Sequence, residues 1–286
     1  MKKIRIRRGQ GAGLIFALPS LLGVACFLLL PFLDVVLRSF QGAVDERWTG
    51  ISNYQTIFEN EAFWLAVGNT ARFAVVCIPL LLVISLAIAL GLNQCGQKFG
   101  FLKSAFLLPM AIPVASVALI WRLLFHNQGI VNGMLTQFGG NPTDWMNSPA
   151  AFWVLVLTYL WKNLGYDVIL WMAGLSGIPY SIYEAAKVDG AGAWKCFTRI
   201  TLPNLKPTLY TITVLSFLNS FKVFREAYLV SGSYPHESMY LMQHLFNNWY
   251  RDLAIDKMAA AAVVVAAAIF LVMLLLKWIL AREDSL

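Results

Sequence analysis

The sequence predicts an all-α, polytopic membrane protein, and three observations carry that reading. Charged residues make up 13% of the 286 residues and hydrophobic residues 59%, whereas a soluble domain has about a quarter of its residues charged. The mean hydropathy is +0.65. Six apolar runs, near 12–37, 66–92, 104–125, 151–174, 207–230 and 257–280, reach the about 20 residues that a helix needs to cross a hydrocarbon core.

The net charge of +7 does not point to nucleic acid once Lys and Arg are sorted by loop. The N-terminal tail carries Lys2, Lys3, Arg5, Arg7 and Arg8. The loop after the second run carries Lys98 and Lys103, and the loop after the fourth carries Lys187, Lys195, Arg199 and Lys206. The alternate loops hold only Arg38 and Arg47, then none, then Arg251 and Lys257. Basic residues gather on the cytoplasmic side, so both termini and the loop after the fourth run are expected in the cytoplasm. The basic start followed by apolar sequence resembles a signal peptide, but the run continues through Phe27 to Leu33. That is longer than a 7–15-residue signal core, so an uncleaved first span is expected. Cys26, Cys77, Cys95 and Cys196 show neither CxxC nor Cys/His ligand spacing, and are read as small hydrophobes. No metal or other cofactor is expected.

Taken in order, the first run contains Pro19 and Pro31, with Asp34 near its outer end. The loop from Gln41 to Glu61 is expected to fold as a small extracytoplasmic cap. The second run brings Asn69 and Arg72 near its outer end, where Arg can reach the interface. In the third run, Pro109 and Pro113 stand four apart and predict a bent or partly unwound helix, a break of the kind transporters place beside cavities. Gly129 to Trp145 reads as a turn-rich outer loop.

The fourth run is interrupted by Trp161, Lys162, Asn163, Tyr166 and Asp167. Charges at this depth are expensive unless paired or facing water. Lys162 and Asp167, five apart, are poorly spaced to pair on one helix face, so partners elsewhere are expected. The fifth run matches this polarity: Ser216, Asn219, Ser220 and Val223 recur at helical spacing, with Lys222, Arg225 and Glu226 nearby. In the third outer loop, His236 and His244 with Glu237 lack metal-ligand spacing, and the loop is read as a docking surface for an external protein. Small residues from Ala259 to Ala268 open the sixth run and allow close helix approach.

The segment 178–207 between the fourth and fifth runs is too polar and punctuated to lie in lipid. Pro179 fits a helical first turn, Ser181 is expected to cap it, and Glu184 to favour its positive end. Asp189-Gly190 should turn the chain through a positive φ. A second helix is expected over about 193–201, with Trp194, Phe197 and Ile200 as an apolar stripe, ended by Pro203 and Pro207.

Glu184-Ala185-Ala186, Asp189-Gly190-Ala191, Phe197, Ile200 and Leu202-Pro203 resemble the EAA loop of permease subunits of binding-protein-dependent ABC importers. The Asp-Gly-Ala followed by an aromatic is similar to the carbohydrate branch, of the maltose and glycerol-phosphate type. Leu107-Leu108-Pro109 with Pro113, and Gly232-Ser233-Tyr234-Pro235, are similar to further parts of that pattern. The resemblance implies a single permease domain over 1–286 with the type I importer fold, and within it a cytoplasmic coupling loop at 178–207. Tyr183, Glu184, Ala185, Ala186, Asp189, Gly190, Ala191, Trp194 and Phe197 would contact the ATPase. It places sugar-contacting positions on Asn163, Tyr166, Ser216, Asn219 and Ser220, while Val223 stands where that pattern has an amide.

It further implies a homologous second permease in a heterodimer, two ATP-binding cassette subunits, an extracytoplasmic solute-binding protein and a sugar or oligosaccharide substrate, all in the cell membrane. The sequence contains no G-x4-G-K-[ST], so no phosphate-cradling loop of that kind is present. A transport subunit rather than an enzyme is expected. Two alternatives remain. One is a self-sufficient secondary transporter with Lys162, Asp167, Arg225 and Glu226 as an ion relay, which six runs without evident duplication do not favour. The other is an importer of the same architecture for a non-sugar solute.

Overall fold

The computed structural model describes residues 10–94 and 100–281. Lys2, Lys3, Arg5, Arg7, Arg8, Cys95, Lys98 and Arg282 lie outside the described residues. Among those described, all regular structure is helical apart from one isolated antiparallel bridge between Gln41 and Trp48. Each of the six apolar runs falls on helix.

The first run is α1 (Gln10–Val24) and α2 (Leu30–Arg38), joined by a π-helical turn over Ala25–Leu29. Pro31 stands in the first turn of α2, where a missing N–H is best tolerated. A short α3 (Ser52–Phe58) precedes α4 (Glu61–Gln94). The third run divides into α5 (Gly100–Ala111) and α6 (Val114–Leu124). These halves meet at 97°, a sharper break than a bent helix. Pro113 takes φ −57° and ψ 140° and has no N–H with which to continue the ladder.

After α7 (Ile130–Gln137) comes α8 (Ala151–Ser176). Two short helices follow, α9 (Tyr180–Val188) and α10 (Ala193–Cys196), and then α11 (Leu202–Asn204). The fifth run is α12 (Lys206–Ser220) and α13 (Phe224–Ser231), separated by a tight 3-10 turn over Phe221–Val223. A further helix, α14 (Met242–Arg251), precedes α15 (Ile255–Ala281).

Among the described residues, three stretches are long and apolar enough to cross a membrane: Phe16–Arg38, Glu61–Asn93 and Ile255–Ile279. The bent α5–α6 pair makes a fourth if counted as one span. The 26 residues of α8 extend about 39 Å at 1.5 Å per residue, long enough to span, but they carry the polar positions.

The chain divides into two compact units, residues 1–60 with 249–268, and residues 61–248 with 269–286. In the first unit the loop after α2 forms the expected cap. Ser39, fully buried, shares a hydrogen bond with the Tyr54 hydroxyl at 2.7 Å, and the Asn53 amide donates to the Ser39 and Gln41 carbonyls at 3.0 and 2.8 Å. Phe40 stacks on Trp48 with ring centroids 5.2 Å apart. Asp34 pairs with Arg38 at 2.7 Å on an exposed helix face, where solvent screens the attraction.

The second unit is built around α8. Phe73, Cys77 and Leu81 of α4 pack on Phe152, Leu155 and Tyr159 of α8, and Val223 and Ala227 complete the cluster. Further along, Trp171 and Leu175 pack with Ala89, Leu205 and Ile212, and the Trp171 indole N–H donates to Ser85 Oγ at 3.0 Å. Gly165 lets α8 touch α5, since a Cβ there would collide with the Phe106 carbonyl. Asn69 donates to the Tyr240 carbonyl at 3.0 Å, and Arg72 lies 4.3 Å from the Phe152 ring centroid. Both have structural partners near the N-terminal end of α4.

Several local expectations need correction. Ser181 caps nothing: Pro179 is the capping residue of α9, no side chain bonds to that terminus, and Glu184, past the first turn, is too far along to meet its positive end. Pro203 does not end the second helix of the loop. A π-helical turn over Phe197–Thr201 sends the Leu202 N–H to the Phe197 carbonyl. Pro203 then falls in the first turn of α11, where its missing N–H is harmless. The loops after the third and fifth runs also contain α7 and α14, which turn signals and short apolar spacing did not disclose.

Candidate functional site

The polar interruptions of α8 and the α12–α13 break meet at one cavity of about 130 Å³. Its wall comprises Thr158, Tyr159, Lys162 and Asn163 from α8 and Asn219, Lys222, Val223, Arg225 and Glu226 from around the break. Met110 and Val114 reach it from either side of the α5–α6 bend. Thr158 with Lys162, and Tyr159 with Asn163, are four apart and so share a helix face. The 3-10 turn rotates Lys222 to Glu226 out of the register that α12 would otherwise impose.

Lys162 is held by Glu226, across from α8 to α13, in a largely buried ion pair. Glu226 Oε2 has no hydrogen-bond partner. Asp167 accepts from Ser216 Oγ at 2.9 Å, and the Tyr159 hydroxyl donates to the Ser216 carbonyl at 2.6 Å. Lys162 and Asp167 thus have partners on other helices, as their spacing predicts. Lys222 donates to Asn219 Oδ1 at 2.8 Å, and the Asn163 amide donates to the Tyr159 carbonyl at 2.9 Å.

Of the five positions expected to contact sugar, Asn163 and Asn219 line this cavity. Ser216 is buried behind it and engaged with Asp167. Ser220 is buried toward Thr70, Phe73 and Leu241, and donates to the Phe217 carbonyl at 2.7 Å. Tyr166, half-buried on α8, is not among the lining residues. Thr158 and Tyr159 were missed by sequence reasoning, although they lie one turn before Lys162 and Asn163 on the same face.

The segment 178–207 forms a compact elbow. Gly190 takes φ +73° as expected. Its N–H bonds to the Lys187 carbonyl at 3.0 Å, and the Ala191 N–H to the Ala186 carbonyl at 2.8 Å; this paired closure terminates a helix by satisfying its last carbonyls. Tyr183 anchors the elbow through a 2.8 Å hydrogen bond to Thr201 Oγ1. Tyr183, Ala186, Ala191 and Phe197 are half-buried, whereas Glu184, Ala185, Asp189, Gly190 and Trp194 are exposed. Val188 and Trp194 are 88% and 76% exposed, and Trp194 packs on Phe197 with centroids 5.6 Å apart. Both are apolar side chains presented to solvent on an otherwise polar helical segment.

His244, in the third outer loop, is core rather than docking surface. It is fully buried, its Nδ1 accepts from the Leu241 N–H at 3.1 Å, and Phe224 meets it edge-on at 4.7 Å. Burial pushes its pKa down to about 4.

Long apolar helices, a polar cavity formed by broken and interrupted helices, and an exposed helical elbow define a membrane transport component. The chain belongs to the family of binding-protein-dependent transport system inner membrane components, whose model matches residues 83–284. The trehalose/maltose transport system permease protein of Thermococcus litoralis is 31% identical over 254 residues, covering 87% of this chain and 86% of that protein. The lactose transport system permease protein of Rhizobium radiobacter is 29% identical, covering 95% and 94%. The fold matches a chain of a bacterial ABC transporter that imports alginate, with a TM-score of 0.82 at 23% identity over 96% of this chain and 98% of that one.

Proposed function

We propose that this chain is the membrane-spanning permease subunit of an ABC importer that moves a sugar or oligosaccharide into the cytoplasm. The relatives named for trehalose, maltose and lactose support the substrate class. The observation that carries the mechanism is the pairing of a polar cavity at the α12–α13 break with a rigid elbow presenting Trp194 and Val188 to solvent. Both termini and the elbow are cytoplasmic in this reading, following the basic-residue asymmetry.

The elbow docks on a separate ATPase through Glu184, Ala185, Asp189, Gly190 and Trp194. Tyr183 ties it to the Phe197–Thr201 turn, so closure of an ATPase dimer moves α8 and α12 as levers. A second, homologous permease completes the path, two ATPase subunits drive it, and an external binding protein delivers the solute. The chain itself performs no chemistry on the sugar. Asn163 and Asn219 bind its hydroxyls at the cavity wall, with Tyr166, Ser216 and Ser220 assigned to the same path on the strength of the resemblance.

Affinity purification from native membrane, followed by uptake in proteoliposomes, tests this. An ATPase should co-purify, and labelled sugar should enter only when ATP and a binding protein are present. Full-rate transport by this chain alone would instead establish a secondary transporter.

A further inference from the structure

Four of the eleven residues lining the cavity carry a formal charge, and three of these are basic. Lys162 is neutralised by Glu226. Lys222 meets only the neutral amide oxygen of Asn219, at 2.8 Å. Arg225, exposed beside it, has no side-chain partner among the described residues. Asp167, a further carboxylate on α8, is buried and engaged with Ser216. Counting it among the wall charges still leaves positive charge in excess.

Unbalanced cations at membrane depth are costly unless a wet cavity or an anion faces them. The side chains that carry the excess charge are donors only. Lys222 spends one N–H on Asn219 Oδ1 at 2.8 Å and keeps others to offer, and Arg225 lines the same wall. A neutral sugar needs acceptors for its hydroxyl protons as well as donors, whereas an anionic group needs donors alone, and guanidinium and ammonium supply them.

We propose that this cavity selects a saccharide bearing an acidic group, such as a carboxylate, sulfate or phosphate, with Arg225 and Lys222 gripping the charge and Asn163 and Asn219 taking hydroxyls. This rests on the reading of the cavity as part of the sugar path and narrows its substrate class.

The test uses the assembled importer in nanodiscs and size-matched pairs of probes: tri-galacturonate against galactotriose, and a tri-glucuronate against cellotriose. The wild type should bind at least one acidic member about tenfold more tightly than its neutral partner, the ratio one charge-assisted contact gives. Lys222→Gln with Arg225→Gln should bring the pair to within about twofold, whereas Lys222→Arg with Arg225→Lys should keep the preference. Should the double Gln variant fail to assemble, raising salt from about 0.05 to about 0.5 M on the wild type should erode the preference by screening.

Equal or tighter binding of the neutral members, or a preference that survives both the Gln variants and salt, overturns the inference and leaves the sugar path intact; it would mean that the partner permease neutralises Lys222 and Arg225. No binding of any probe overturns the reading of the cavity as a sugar site as well.

Discussion

At the Lys162–Glu226 pair, removing one charge leaves the other in a wall that cannot solvate it. Such losses run to about 3–5 kcal/mol, while replacing both partners by apolar residues of similar volume is often neutral. Glu226→Gln should therefore lower the thermal unfolding midpoint of the purified complex markedly, and Lys162→Met with Glu226→Leu should recover most of it. His244 supplies a second test. Its Nδ1 accepts from Leu241 N–H, so the neutral ring carries its proton on Nε2, and protonating Nδ1 would set donor against donor. With the folded pKa near 4 and the unfolded value near 6.5, the unfolded chain binds more protons between those limits. Stability is fully present above about pH 6.5 and falls as pH drops toward 4. Unfolding midpoints across that window should decline, and His244→Gln should flatten the decline. The sequence announced Lys162 as a residue in need of a partner and offered Glu226 only as one member of a possible relay, since it is 64 positions away and brought near by the packing of α13. His244 looked like a surface residue because its loop is polar, and only the fold of α14 buries it.

Among the elements, contact between α8 and α5 depends on Gly165. A methyl there would collide with the Phe106 carbonyl, and overpacking of this kind costs typically about 1–3 kcal/mol. Gly165→Ala should reduce the yield of folded chain and the unfolding midpoint, whereas Gly68→Ala, with open space around its Cα, should do neither. For the elbow, Glu184→Lys or Gly190→Arg should leave the chain in the membrane but strip the co-purifying ATPase, as read from band intensities on a gel. The Asp189-Gly190 turn was legible because only a residue free of a Cβ takes a φ of +73° without strain. The cap of α9 was not, since Ser181 lies inside the helix whose entrance Pro179 sets. Pro203 misled because a proline breaks a helix interior but not a first turn, and the π-helical turn before it resets the count.

For the molecule as a whole, hydropathy located every apolar run, since about 20 apolar residues have few other uses. It could not show that the third run is divided into two helices at 97°. Nor could it show that Asn163 and Asn219 share a cavity while Ser216 and Ser220 are buried away from it, because that depends on how α12 is rotated against α8. Basic-residue asymmetry remains the ground for a cytoplasmic elbow. A cysteine introduced at Asp189 in a chain lacking its native cysteines should react with a membrane-impermeant maleimide in inside-out vesicles and not in intact spheroplasts.

The division of the third run also bears on how the chain is made. The 12 residues of α5 and 11 of α6 reach only about 18 and 16 Å, roughly half of a bilayer's oily interior each. Neither half is long enough to commit to the bilayer by itself as it leaves the ribosome. The expected course is that the segment settles only once Gly165, which closes on Phe106 in the folded chain, has been made. In nascent chains halted before residue 150, a cysteine introduced at Leu119 should thus stay reactive to a water-soluble maleimide, and in full-length chains it should not.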